Sequence, residues 1–206
     1  PMTPRQAVNW AVTFVKQHKY INSVRISGPA EPLCNSQTYE VLRRLNIELP
    51  GYLYCVGTNG LMLEEKAEEL ADLNVKTVEV SINAIKADTI LKLYSRFRKG
   101  EDIIINSPDV ANTLPQNQFS GIKRCVEMGM DVRVNTIYYP DINGSEIIDI
   151  AYACKKIGVK SMCLISGMPS GKLKDERLPS LEEMIEMKEK VSSIFSDIEI
   201  DYYNPL

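Results

Sequence analysis

Two hydrophobic periods alternate along the chain. Ala7, Trp10, Ala11, Phe14 and Val15 recur at helical spacing. Thr3-Pro4-Arg5-Gln6 precedes them with a capping box and a proline at the first helical position, so a helix is predicted over residues 4–18. Ser23 to Ser27 is a short strand-type run broken by Gly28-Pro29. Ser36 caps a helix carrying Tyr39, Leu42 and Leu45, and Tyr52 to Val56 is the next strand, stopped by Gly57 to Gly60. Leu63, Ala67, Leu70 and Ala71 mark a helix ending at Asn74, followed by a strand from Thr77 to Ile82. Ala87 to Arg98 reads as helical, with Ile90, Leu91 and Tyr94 on one face. Residues 99–116 hold Gly100, Pro108 and Pro115 in a polar setting and read as an insertion or long loop. Phe119, Ile122 and Val126 restart a helix that Gly129 ends, and Val132 to Tyr138 is a strand closed by Pro140. Ser145 starts a helix ended by Gly158, and Ser161 to Ile165 is a strand. Ser180-Leu181-Glu182-Glu183 is a second capping box, and Ile198 to Tyr203 is a candidate last strand.

Strand–helix alternation of this kind implies parallel strands joined by right-handed crossovers, with helices outside. The expected fold is an α/β partial parallel barrel of five to six strands with outer helices, in a single domain over residues 1–206. Six strands are too few for a closed eight-strand barrel of roughly 250 residues. In such folds chemistry collects where strands end, which directs attention to residues 28–33, 57–60, 81–84 and 135–143.

Composition narrows the function classes. The net charge is −3, with Lys and Arg spread along the chain and no basic run, so no nucleic-acid partner is expected. The apolar stretches are only strand-length, so no membrane partner is expected, and the first residues do not read as a signal peptide. The five cysteines are odd in number and no pair has metal-loop spacing, which suits reduced thiols and a cytoplasmic location. Cys125 and Cys154 read as helix core, and His18, the single histidine, as a solvated helix end.

The strand-end segments carry the candidate chemistry. In Gly28-Pro29-Ala30-Glu31-Pro32-Leu33 the glycine lets backbone approach a ligand and the prolines stiffen the loop. Backbone carbonyls there, with Glu31, suit an ammonium group. Gly57-Thr58-Asn59-Gly60 places a hydroxyl and an amide at a tight turn. Ser81 and Asn83 stand two apart at a strand end, and Asn135 sits in an otherwise apolar strand. Each segment alone also makes an ordinary turn or a structural polar network, since an unpaired buried polar group costs about 1–3 kcal/mol.

The ordered combination is more specific. G-x-x-E-P, T-N-G, S-I-N and V-N-T at successive strand ends resemble the core of the radical S-adenosylmethionine (SAM) enzymes. Within that superfamily, several runs are most similar to the NifB family of nitrogenase-cofactor maturases. They are Thr3 to Ala7, Ser27 to Leu33, Cys55 to Leu61, Val80 to Ala84, and Val134-Asn135-Thr136 with Pro140, Ile142 and Asn143. The similarity runs from about residue 3 to 169. It implies that Gly28, Pro29, Glu31 and Pro32 hold the SAM methionine, and that Thr58, Asn59, Ser81, Asn83 and Asn135 line the SAM pocket. Cys55 matches a cysteine that ligates a substrate iron–sulfur cluster, its alternative being a buried strand thiol. The implied cofactors are SAM and a 4Fe-4S cluster, and the implied electron donor is a ferredoxin or flavodoxin.

One departure is large. The family's C-x-x-x-C-x-x-C motif, which holds the cluster, does not occur in the chain, so no catalytic residue is assigned. The resemblance places that motif upstream of Pro1, and a further cysteine pair beyond Tyr203. The expectation is therefore a central portion of a longer enzyme, inactive alone. Two alternatives remain open at this point: another radical SAM branch, and a non-catalytic relative that binds SAM or a partner.

Overall fold

The computed structural model describes residues 2–28, 30–99 and 102–204. Six parallel strands form the main sheet: β1 (Ser23–Ile26), β2 (Leu53–Thr58), β3 (Val75–Ser81), β6 (Asp131–Tyr138), β7 (Ser161–Ser166) and β8 (Glu199–Tyr203). Their order is β1-β2-β3-β6-β7-β8, so the sheet is open, with β1 and β8 at its edges. Helix α1 (Pro4–Gln17) precedes the sheet, and the other helices lie between its strands: α2 (Ser36–Glu48), α3 (Leu63–Asp72), α4 (Ala87–Leu93), α5 (Pro108–Glu127), α6 (Pro140–Asn143), α7 (Ile147–Lys156) and α8 (Leu181–Ile194). The six parallel strands and outer helices match the expected α/β class, and the candidate last strand is present as β8. Among the described residues no helix is long and apolar enough to cross a membrane.

One side of the sheet carries the core. Tyr54, Val56, Val78, Val80, Val132, Val134, Met162 and Leu164 are buried against Leu42, Leu45, Leu70, Ile122 and Ile150 of the helices. The two capping boxes form as the sequence predicts, at Thr3–Gln6 and Ser180–Glu183.

The structure departs from the sequence reading between residues 94 and 118. Helix α4 stops at Leu93, and a two-stranded antiparallel hairpin follows, β4 (Arg96–Lys99) with β5 (Asp102–Ile105). The helix end is set by distant side chains. Asn106 donates its amide to the carbonyls of Ile90 (3.0 Å) and Tyr94 (3.1 Å), and the Lys172 ammonium donates to those of Leu91 (2.8 Å) and Tyr94 (2.5 Å). Phe97 then turns inward, its ring centroid 4.8 Å from that of Tyr94 and tilted by 48°, in a cluster with Leu61, Ile90, Leu93 and Leu114.

The expected loop after the hairpin is the first half of α5. Ser107 caps it and Pro108 occupies its start, where a missing N–H is harmless. Pro115 lies inside the helix and costs about 3 kcal/mol of helix propensity. Packing offsets this: Ala111, Leu114 and Pro115 are buried, and Gly121 lets α5 press against α3. A Cβ at Gly121 would stand 2.7 Å from that of Leu63.

Candidate functional site

The loops after β1 and β2 are joined by one carboxylate. Glu31 Oε1 accepts from Leu33 N (3.1 Å) and from the Thr58 hydroxyl (2.6 Å). Glu31 Oε2 accepts from Asn59 N (2.6 Å). Thr58 Oγ1 in turn accepts from Gly60 N (3.0 Å), which closes the turn. Gly60 has φ +83°, and a Cβ there would meet Val80 Cγ1 at 2.9 Å, so the T-N-G turn requires glycine at that position. Gln118 of α5 braces the arrangement by donating to the carbonyls of Asn59 (2.7 Å) and Ser81 (2.9 Å).

These loops rim a cavity of about 750 Å³ at the carboxyl ends of β1, β2, β3 and β6. Its floor is the sheet face opposite the core. Glu79 is the hub: its Oε2 meets the Arg25 guanidinium at 2.6 Å and the Asn135 amide at 3.0 Å, and its Oε1 lies 3.5 Å from Cys55 Sγ. Gly57 keeps the floor open, since a Cβ there would stand 3.1 Å from that of Ser27 and 3.5 Å from Arg25 Nη2. The β4–β5 hairpin forms a side wall with Arg96, Phe97, Arg98 and Ile103. Asn59 ties that wall to the rim by donating its amide to the Arg98 carbonyl at 3.1 Å.

Of the residues singled out in the sequence, Gly28, Glu31, Pro32, Thr58, Asn59, Ser81 and Asn135 line this one cavity. Pro29 lies outside the described residues. Asn83 is not among the lining residues. It falls after the end of β3, is buried, and accepts from Ile137 N at 2.8 Å while bonding the Tyr94 side chain. Cys55 is half-buried on the floor face, two residues before Gly57, and does not itself line the cavity. Burial, and then Glu79, push its thiol up to about 12. Among the described residues no three His, Cys, Asp or Glu side chains are grouped to hold a metal ion.

Sequence reasoning missed Arg25, Glu79, Tyr94, the hairpin wall and the Gln118 brace. A signal for the first two was present. A charged residue flanked by β-branched or aliphatic residues in a short strand, as in Val24-Arg25-Ile26 and Val78-Glu79-Val80, marks a strand with one apolar and one polar face.

The chain matches the family described as "Radical SAM superfamily" over residues 1–154. That is well over half of its length, and the protein belongs to that superfamily. Among curated proteins it is similar to the "FeMo cofactor biosynthesis protein NifB" of Methanocaldococcus jannaschii. The two are 32% identical over 189 residues, covering 92% of this chain and 62% of that one. The protein of the same description from Chlorobaculum tepidum is 29% identical over 188 residues, covering 91% and 44%. The chain thus spans less than two thirds of the length of these relatives. Among solved structures, Streptococcus suis SuiB bound to S-adenosylmethionine superposes with a TM-score of 0.67 at 18% identity, covering 97% of this chain and 43% of that one. That likeness concerns the fold alone.

Membership of this superfamily implies SAM and a 4Fe-4S cluster, and the two fare differently against the residues present. For SAM the fit is good. The cavity volume falls within the roughly 300–1,000 Å³ of small-molecule sites, its rim is made of glycine-containing loops, and a side chain at Gly57 would fill its floor. For the cluster the fit fails. The chain has no three-cysteine motif, and its described residues hold no grouped metal ligands, so no step is assigned through a cluster here.

Proposed function

We propose that this chain is the SAM-holding core, as one domain over residues 1–206, of a cytoplasmic NifB-like enzyme. In the whole protein, one electron from a donor such as a ferredoxin or flavodoxin would break the C5′–S bond of SAM. The products are methionine and a 5′-deoxyadenosyl radical, used in assembling an iron–sulfur cofactor of the nitrogenase type. The observation that carries the reading is the convergence on one cavity of the loops after β1 and β2 with Ser81 at the end of β3 and Asn135 within β6. The relatives that bear the NifB name support the branch.

In this reading Gly28, Pro29, Glu31 and Pro32 receive the methionine end of SAM, and Thr58, Asn59, Ser81 and Asn135 line the rest. Asn83 acts from behind the wall by orienting Tyr94. Cys55 offers a thiol on the floor face to an iron of the substrate cluster, and its proton must leave before iron binds.

The test is anaerobic incubation of the whole protein, from which this chain is drawn, with SAM and dithionite. The expected product is 5′-deoxyadenosine, lowered about tenfold or more by Glu31→Ala, because that substitution unties the two methionine-side loops. The 206-residue chain alone is expected to form none. A whole protein with its cluster loaded that yields no 5′-deoxyadenosine would overturn the proposal.

A further inference from the structure

Gln118 is buried on α5 and does not line the cavity, yet its amide reaches two strands at once. The β2–β3 ladder ends at the pair Thr58 and Val80. Just beyond that pair, Gln118 Nε2 donates to the carbonyls of Asn59 (2.7 Å) and Ser81 (2.9 Å). A side-chain amide thus extends the tie between the two strands past the point where backbone pairing stops. Glycines make its seat. Gly121, three residues along α5, lets the helix approach Leu63 of α3, and a Cβ at Gly60 would stand 3.2 Å from Gln118 Cγ.

From Gln118 the hydrogen bonds run on toward the cavity. The Asn59 carbonyl and the Gly60 N–H belong to one rigid peptide plane. Holding the carbonyl therefore aims the N–H at Thr58 Oγ1, 3.0 Å away. Thr58 Oγ1 accepts that bond and donates its own proton to Glu31 Oε1 at 2.6 Å. Glu31 Oε1 also accepts from Leu33 N, and Oε2 accepts from Asn59 N. A carboxylate has about four acceptor sites, two on each oxygen. These described partners take both sites on Oε1 and one on Oε2. The direction of the last lone pair, on Oε2, is set by a bond chain that starts outside the cavity, and the members of such a chain polarise one another.

We propose that Gln118 is a positioning residue for the ammonium at the methionine end of SAM, acting through the Asn59–Gly60 peptide, Thr58 and Glu31 without touching the ligand. An ammonium carries donors and no acceptor, so it must meet a lone pair aimed at it, and Glu31 Oε2 offers one. The inference deepens the proposed function and rests on it for the identity of the ligand. The relay itself rests only on hydrogen bonds of the free protein.

Gln118→Met keeps the length of the side chain and removes both donors. Two measurements on the 206-residue chain test the role. The first is amide hydrogen exchange by NMR without ligand. Gln118→Met is expected to speed exchange at Leu33 N–H about fivefold or more. Leu33 is a sensitive reporter, because its hydrogen-bond path to Gln118 runs through Glu31 and Thr58. Val56 and Val134, inside the sheet, are expected to keep their rates. Gln118→His, with a single ring N–H, is expected to give an intermediate rate at Leu33, and it carries the comparison should the methionine variant not fold. The second measurement is calorimetric titration with S-adenosylhomocysteine and with its analogue lacking the α-amino group. Gln118→Met is expected to weaken the first about fivefold to tenfold and the second less than about twofold. Three results would each overturn the inference: an unchanged rate at Leu33, equal acceleration at Leu33 and Val134, or equal weakening of the two ligands. A wild-type chain that binds neither ligand counts against the assignment of the cavity to SAM, and the exchange rates then decide the relay by themselves.

Discussion

On β3 and β6, Val78, Val80, Val132 and Val134 point into the helical layer, while Glu79, Ser81, Arg133 and Asn135 point the other way. The same backbone therefore serves two environments one residue apart. On the helix side the valines are almost fully enclosed, and each buried branched side chain contributes about 1.5–3 kcal/mol. On the cavity side the side chains satisfy one another through Glu79, and the Arg25 partner is half exposed, so little net stability resides there. Stability and chemistry are thus separated by the pleat of the strand, and changes on the chemical face are expected to leave the fold intact.

The largest expected effect tests that separation directly. Val134→Asp places an unpaired carboxylate in the helical layer and is expected to abolish cooperative unfolding in a denaturant melt. Asn135→Ala, on the next residue, is expected to cost no more than about 1.5 kcal/mol. Comparable losses from the two would break the comparison.

A smaller effect distinguishes the faces by thiol reactivity. The thiols of Cys55, on the cavity side, and Cys154, in the helical layer, are both pushed up to about 12. Burial accounts for Cys154, whereas Glu79 adds to burial at Cys55. Native-state alkylation by iodoacetamide near pH ~8 is expected to be slow at both thiols. Glu79→Gln is expected to speed Cys55 a few-fold and to leave Cys154 unchanged. Mass spectrometry of the modified peptides reads the difference, and equal acceleration of both thiols would point to general loosening instead.

The smallest effect comes from an exposed ion-pair cluster that lies on neither face. Arg177 bridges Asp141 after β6 and Glu183 at the start of α8, and it holds both carboxyls below their ordinary values of 3.8 and 4.5. A carboxyl depressed in the folded state stabilises above its unfolded pKa and loses that contribution as pH falls through the folded one. The melting temperature is therefore expected to depend on Arg177 at neutral pH and to become insensitive to Arg177→Gln once the pH falls well below 3.8.

The helix side and the strand-end loops were legible in the sequence because their signals are local. Valine alternation, Gly57 to Gly60 and the two capping boxes each specify their own backbone. The hairpin was not legible, because Asn106 and Lys172 end α4 from outside the helix. Pro115 misled for a related reason: its cost is met by burial in the tertiary packing, which no local window contains. Within the site, the residues that line the cavity were found where turn chemistry marked them. A period of two groups Asn83 with Ser81 only if the strand continues, and β3 ends at Ser81. Glu79 and Arg25 carry no distinctive signal, because a lone charge between aliphatic residues also describes an ordinary half-exposed strand.

The Glu31 carboxylate has a consequence for the energetics of ligand capture. It fastens the β1 loop to the β2 loop through Thr58 and Asn59 in the free protein. A ligand arriving at this rim finds the loops already in register and need not immobilise them, and ordering costs of about 0.5–1.5 kcal/mol per restrained side chain are avoided. The loop conformation is inherited from folding, so affinity at this rim is set by contact quality and desolvation, with little entropic toll for closure.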